Sequence, residues 1–261
     1  MGVSFYGATT PAFIQDSSKY PAATGSSASI SVALVESTAT LAGTSSATAS
    51  SGVATFVGQK LTGTVGNYTL RFTSTGLTSL DSSVTLTFGA AHHLQLETNT
   101  AGVANRIAFT TQPVVSVLDV SGNRVTNSTN DVTVSASTGN GAVLSGTKTI
   151  TPASGLSTFS GLKFTGLVGD YTLTYSATGL TSASETVTLR FGAATQLAVT
   201  TQPVGGNAAG DALTTQPIVK VQDADGNVVT NSTATVTVAV DADATGNVTE
   251  GATSVASIAG A

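Results

Sequence analysis

From Gly155 to Gly192 apolar and polar positions alternate along the chain. Tyr171, Leu173 and Tyr175 fall on one side of an extended backbone, with Thr172 and Thr174 on the other. Val187, Leu189 and Phe191 form a second stripe, and Thr158 and Phe159 open a less regular one that continues to Leu162 and Phe164. Period two with β-branched and aromatic residues marks strands buried on one face. Gly166 to Gly169 and Gly179 supply turn chemistry between them, so the stretch predicts consecutive antiparallel strands. The pattern also occurs from Gly52 to Gly89, where Tyr68, Leu70 and Phe72 alternate with Thr69 and Arg71, followed by Val84, Leu86 and Phe88. The two stretches align without a gap at an offset of 103 residues, with 22 of 38 positions identical. A fixed period of this size predicts an array of like modules.

Residues 90–192 hold one complete copy. Leu94 and Leu96 predict its first strand, and Val115 and Val117 a second, which ends in the turn Asp119-Val120-Ser121-Gly122-Asn123. Val132 with Val134 gives a third, and Val143, Leu144 and Ile150 a fourth. With the three strands of the opening stretch the count is seven, that of an immunoglobulin-like sandwich. Residues 214–238 repeat residues 110–134 at 17 of 25 positions. The expected organisation is a unit over 1–89 that lacks its first strand and is degenerate through residue 29, a complete unit over 90–192, and a truncated unit over 193–261 that lacks its last three strands. In the first unit, Ile30 and Val32, Leu34 or Val35, and Ala39 with Leu41 read as short strands. The sequence is expected to be an excerpt of a longer one. Residues 193–261 are then expected to be less buried than 90–192, with Val219, Val221, Val236 and Val238 denied their covering strands. Phe88-Gly89-Ala90-Ala91 and Phe191-Gly192-Ala193-Ala194 leave no flexible linker, which favours an extended rod. The predicted fold class is all-β, with tandem immunoglobulin-like β-sandwiches arranged as a rod.

Gly66 and Gly169 each precede a tyrosine at a strand start, Tyr68 and Tyr171. A tyrosine corner needs this placement, with the hydroxyl returning to a backbone group a few residues upstream. An ordinary core tyrosine fits it equally.

Composition narrows the function. Charged residues are 9% of 261, against about 25% in ordinary soluble domains. Thr and Val in their place suit a pleated, half-buried surface, and no helix longer than a turn is expected. No apolar run approaches the roughly 18 residues of a membrane span, so no membrane insertion is expected. Met1 to Ser4 lacks the basic start and apolar core of a signal peptide. With no cysteine, disulfides and thiolate zinc sites are excluded. A net charge of −5 with nine dispersed Lys and Arg argues against nucleic acid and anionic membranes as partners.

Candidates for chemistry are few. His92 and His93, as neighbours on a strand, are expected to point to opposite faces and not to share an ion. Asp223 with Asp225, and Asp241 with Asp243, are Asp-x-Asp pairs that could offer oxygens to calcium. Asp223-Ala-Asp-Gly-Asn227 occupies the place of Asp119-Val-Ser-Gly-Asn123, however, where the turn persists with Ser121. A turn of Asp and Asn bonded to their own backbone, with Gly122 or Gly226 at positive φ, explains it without a metal. Asn67, Asn127, Asn231 and Asn247 begin N-glycosylation sequons, which a Thr-rich chain contains by chance. Gly205-Gly206-Asn207 precedes no helix and is no phosphate cradle. No acid, base and nucleophile set can be assembled, so neither enzymatic activity nor a cofactor is expected.

Asp-x-x-Gly-Asn after a strand, then Gly-(Val/Leu)-x-Thr-Phe, then Gly-x-Tyr-Thr-Leu, resembles the bacterial Ig-like domains of the invasin/intimin, group 1 kind. TTQP and VQDADGNVV are similar to repeats of very long bacterial surface proteins. The resemblance covers the middle unit, most of the third and the second half of the first; the first 29 residues depart from it. It implies an extracellular location on a bacterial surface and a role as spacer or adhesin stalk, with neighbouring Ig-like repeats of the same chain as partners. Its motif positions, Gly66, Tyr68, Asp119, Gly122, Asn123, Gly169, Tyr171, Asp223, Gly226 and Asn227, are structural rather than chemical. The alternatives are a module binding a host-surface glycan or protein, and a phage virion decoration domain. A binding module would expose aromatic residues on loops, and Phe5, Tyr6, Phe13 and Tyr20 are the ones outside the alternating stripes.

Overall fold

The stripes around Tyr68 and Tyr171 become strands with both tyrosines buried. The computed structural model describes residues 3–4, 11–13, 27–137, 139, 141–205, 212–239 and 253–256; the chain is all-β, and no helix occurs among the described residues. The first segment contains β1 (Val3–Ser4), β2 (Pro11–Phe13), β3 (Ser29–Leu34), β4 (Ala39–Ala42), β5 (Ser46–Thr48), β6 (Val53–Thr55), β7 (Lys60–Gly63), β8 (Gly66–Thr73) and β9 (Leu80–Leu86). The middle segment contains β10 (His93–Thr98), β11 (Val114–Leu118), β12 (Val132–Ala136), β13 (Val143–Thr147), β14 (Thr149–Ile150), β15 (Leu156–Thr158), β16 (Ser160–Thr165), β17 (Gly169–Ser176) and β18 (Ala183–Leu189). The third contains β19 (Gln196–Thr201), β20 (Ile218–Gln222), β21 (Thr235–Val238) and β22 (Thr253–Ala256).

The sequence repeat is also a topological repeat. The middle segment has a sheet of order β14-β12-β17-β18, and the first has the matching order β5-β3-β8-β9. Tyr171 pairs with Val187 across the β17–β18 hairpin as Tyr68 pairs with Val84 across β8–β9. The sheet β10-β11-β15 and the pair β13-β16 complete the middle segment, and β19-β20 repeats the β10-β11 pairing in the third. The middle core joins these sheets through Leu94, Val115, Val117, Val132, Val134, Phe159, Leu162, Phe164, Tyr171, Leu173, Tyr175 and Leu189. Leu173 is fully buried, while Thr172 beside it is exposed, as the pleat requires.

Two expected strands are each divided in two. The fourth splits into β13, paired with β16, and β14, paired with β12. The fifth splits into β15, paired with β11, and β16. Gly146 makes the crossing possible: its φ is +113°, and a Cβ there would lie 2.4 Å from the Gly161 carbonyl oxygen. Only glycine tolerates that conformation and approach. Gly43 repeats the device against Gly58, with φ +114° and the same 2.4 Å.

The third segment is covered differently. Leu94 is buried, yet its counterpart Leu197 is 55% exposed; Val134 is buried, and Val238 is 60% exposed. Val219 and Val236 are half-buried, and of the four valines singled out above only Val221 is buried. In the middle segment β15 to β18 complete the core, and the described residues of the third contain no counterpart of them.

Candidate joint between successive repeats

The turn after β11 first organises itself. Asp119 Oδ1 accepts the N–H groups of Ser121 and Asn123 at 2.8 and 2.9 Å, and Gly122 sits at φ +80°. After β20, Asp223 Oδ1 accepts from Asp225 and Asn227, both at 3.0 Å, with Gly226 at φ +85°. This is the self-bonded Asp turn that the residue pattern suggests. The remaining polar atoms face the preceding segment.

The carboxamide of Asn123 reaches the loop between β7 and β8. Its Oδ1 accepts the Val65 N–H at 2.9 Å, and its Nδ2 donates to the Gly63 carbonyl at 2.9 Å. Asp119 Oδ2 accepts the Gly89 N–H, at 2.8 Å, from the connection that enters the middle segment. The arrangement recurs one repeat later. Asn227 Oδ1 accepts the Val168 N–H at 2.9 Å, Asn227 Nδ2 donates to Gly166 O at 2.9 Å, and Asp223 Oδ2 accepts the Gly192 N–H at 2.9 Å. Asn123, Asn227, Asp119 and Asp223 are all buried. Each buried carboxamide thus finds one N–H and one C=O of the loop as partners, as a buried polar side chain requires.

The tyrosines hold the receiving loop in shape. Tyr68 donates its hydroxyl to Thr64 O at 2.6 Å, and Tyr171 donates to Leu167 O at 2.7 Å. In each case the pinned carbonyl lies between the C=O and the N–H that receive the asparagine. The Tyr171 oxygen also accepts the Ala142 N–H at 3.2 Å. A hydroxyl returning to a carbonyl four residues upstream has the geometry of a tyrosine corner. Gly169, at φ +147°, lets the chain leave this loop and enter β17.

Asn105 and Arg106 add a second layer at the later joint. Asn105 Oδ1 accepts the Gly166 N–H at 3.0 Å, and its Nδ2 donates to Asp223 and Asp225 at 2.8 and 2.6 Å. Arg106 grips Asp225 with two parallel bonds of 2.7 Å.

Burial acts to raise the Asp223 carboxyl, but donors from Gly192, Asn227, Asn105 and Asp225 outweigh it and hold the pKa at about 2. Asp119 is lowered in the same manner, burial being opposed by Gly89, Asn123 and Ser121. The Arg106 guanidinium is the main cause that lowers Asp225, with Asn105 second. Both oxygens of Asp223 and of Asp225 therefore already face N–H groups, and a calcium ion would have to displace them. Asp241 and Asp243 lie outside the described residues. Among the described residues no cluster of three or more His, Cys, Asp and Glu is placed to hold a metal.

His92 and His93 do not point apart as expected; their Nδ1 atoms lie 3.3 Å from one another. The strand begins only at His93, so the alternation of a pleated strand does not govern His92. Asn67 opens β8 with its side chain bonded to Thr85, Asn127 and Asn231 lie exposed in turns, and Asn247 is outside the described residues. Phe5, Tyr6 and Tyr20 are outside them as well, and Phe13 is described only as backbone of β2. The receiving groups of the joint, on Gly63, Val65, Gly166 and Val168, and the clamp of Asn105 and Arg106 escaped the reading of motifs. A signal was present: Thr-Gly-x-Val-Gly is identical in both copies, though only Gly66, Gly169 and the tyrosines needed it within one module.

No protein-family model matches this chain, and no curated protein matches it. Among solved structures it is similar to the D0-D1 domain of intimin, at 18% identity over 69% of this chain and 88% of that one, with a TM-score of 0.29. It is similar to domains 1-6 of the surface layer protein SbsC, at 15% identity over 88% of this chain and 28% of that one, with a TM-score of 0.30. A β-glucuronidase of Parabacteroides merdae matches at 9% identity over 61% of this chain, with a TM-score of 0.31, and this chain spans only 21% of its length.

Proposed function

We propose that this chain is a structural spacer, a segment of a bacterial cell-surface or secreted repeat protein of adhesin-like character. Its units are residues 1–89, 90–192 and 193–261, each an Ig-like sandwich or part of one, set end to end as an extended rod. The observation that carries the reading is the recurrence of one joint: Asn123 with Gly63 and Val65, then Asn227 with Gly166 and Val168, at matching distances. Six-residue connections, 87–92 and 190–195, separate the last strand of one segment from the first of the next. A short tether with a bonded joint on each side restrains bending, and it gives the turn motif a task without catalysis or cofactor. The partners in this reading are the neighbouring repeats.

Small-angle scattering of the full chain tests it. An elongated particle should shorten, with a broader distribution of distances, when Asn123 and Asn227 are both replaced by Ala. A compact particle in the parent protein, or an unchanged profile in the double variant, refutes the spacer.

A further inference from the structure

The geometry points to a pairing rule between successive repeats: a receiving loop equipped with Asn105 and Arg106 selects a neighbour whose turn carries a second aspartate, Asp225, and a loop without such a clamp takes a neutral residue there. The inference rests on the joint described above and concerns which turn fits which loop.

The clamp is built before its partner arrives. Asn105 N–H donates to Arg190 O at 2.9 Å and Arg106 N–H to Phe164 O at 2.8 Å, so the middle segment fixes the backbone of both residues. Arg106 is held at φ +64°, a conformation uncommon for a residue with a Cβ. Asn105 has its oxygen engaged by Gly166, which turns its Nδ2 toward the two aspartates. Asp225 adds a second negative charge beside Asp223, and that proximity by itself disfavours ionisation of Asp225. Arg106 offsets it with a bidentate contact, the geometry in which a guanidinium binds a carboxylate best.

The first joint lacks both halves of the pair. Its turn has Ser121 where the second has Asp225, and the stretch aligned with Asn105 and Arg106, Gly2 to Ser4, holds no base. The bonds common to both joints run from Asn123 and Asp119, or from Asn227 and Asp223, to backbone groups, which carry no information about the neighbour. Discrimination therefore falls to the one position at which the turns differ in charge. The partner class is an Asp-x-Asp-Gly-Asn turn on an adjacent repeat.

Hydrogen exchange of the full chain reads the two joints separately, through Gly192 and Val168 N–H at the second and Gly89 and Val65 N–H at the first. Asp225→Ser and Arg106→Gln should each speed exchange at Gly192 and Val168 by about fivefold, the scale of a favourable part-exposed ion pair. The double variant should be no faster than either single one, and Gly89 and Val65 should stay unchanged. Ser121→Asp should loosen the first joint, because the stretch aligned with Asn105 and Arg106 offers the charge no base. The rule is overturned if Asp225→Ser leaves the second joint as protected as before, if the two losses add, or if Ser121→Asp protects the first. Asn227→Ala is the control: fast exchange there with none in Asp225→Ser rejects the rule alone, and no change in either rejects the joint itself.

Discussion

Asn123 and Val65 are 58 residues apart in the chain, and the Asn123 carboxamide oxygen accepts the Val65 N–H at 2.9 Å. With its Nδ2 on Gly63 O, one side chain closes both polar groups of a loop in the preceding segment. Replacing Asn123 or Asn227 by Ala removes two hydrogen bonds to part-exposed loop backbone, at a cost of about 1–2 kcal/mol per site. Denaturant titration should show that loss. Asn227→Asp should cost more, because an oxygen would then face Gly166 O and Asp223. Unchanged midpoints for both Ala variants would contradict the joint.

Tyr171→Phe tests whether the corner shapes the receiving loop. The variant keeps the ring, packed 4.9 Å from Phe164 between centroids, and loses only the bonds to Leu167 and Ala142. The expected cost is about 1 kcal/mol, together with faster exchange at Val168 N–H. Slower unfolding, or loss of protection confined to Ala142, would show that the hydroxyl does not support the loop.

Stability should fall in acid, and the sign follows from Asp223. Its pKa of about 2 in the folded protein lies below the ordinary 3.8. The charged carboxylate therefore stabilises the fold fully above about pH 4, and this contribution is lost as pH falls through 2. The shift corresponds to about 2 kcal/mol. Asp119 and Asp225 are lowered as well and act in the same direction. Melting temperatures between pH 5 and 2 should decline steeply in the parent and less so in Asp223→Asn. Parallel curves for the two proteins would remove Asp223 as the cause.

In the core, Leu173→Ala should cost roughly 2–5 kcal/mol, for a side chain with no exposed surface. Thr172→Ala, on the outer face, should stay within about 0.5 kcal/mol. Chemical denaturation measures both, and equal losses would mean that the inward face of β17 is wrongly assigned.

Chelation should leave the melting temperature unchanged. The oxygens of Asp223 and Asp225 already face donors from Asn105, Arg106, Gly192 and Asn227, and a cation that bound the native state would have to stabilise it. A fall in EDTA with recovery in calcium would show that a site exists and would direct attention to Asp241 and Asp243.

Period-two alternation around Tyr68 and Tyr171, and the identity of the two stretches at 22 of 38 positions, suffice to determine these strands, their inward faces and the repeat. Those features depend on neighbours within a few residues, and one chain carries that information directly. The Asp-x-x-Gly-Asn motif was legible as a turn for the same reason, since Asp119 and Asp223 bond amides two and four residues on. Its outward half was not. Asn123 and Asn227 meet backbone groups, and an N–H or a C=O leaves no trace in residue identity. Gly63, Val65, Gly166 and Val168 could thus become receivers only once the loops were folded. The breaks of the fourth and fifth strands were hidden similarly, because Gly146 needs its positive φ only when the Gly161 carbonyl lies against it. Arg106 and Asp225, 119 residues apart, have no sequence pattern that joins them. Their pairing belongs to the tertiary structure, which alone sets one repeat against the next.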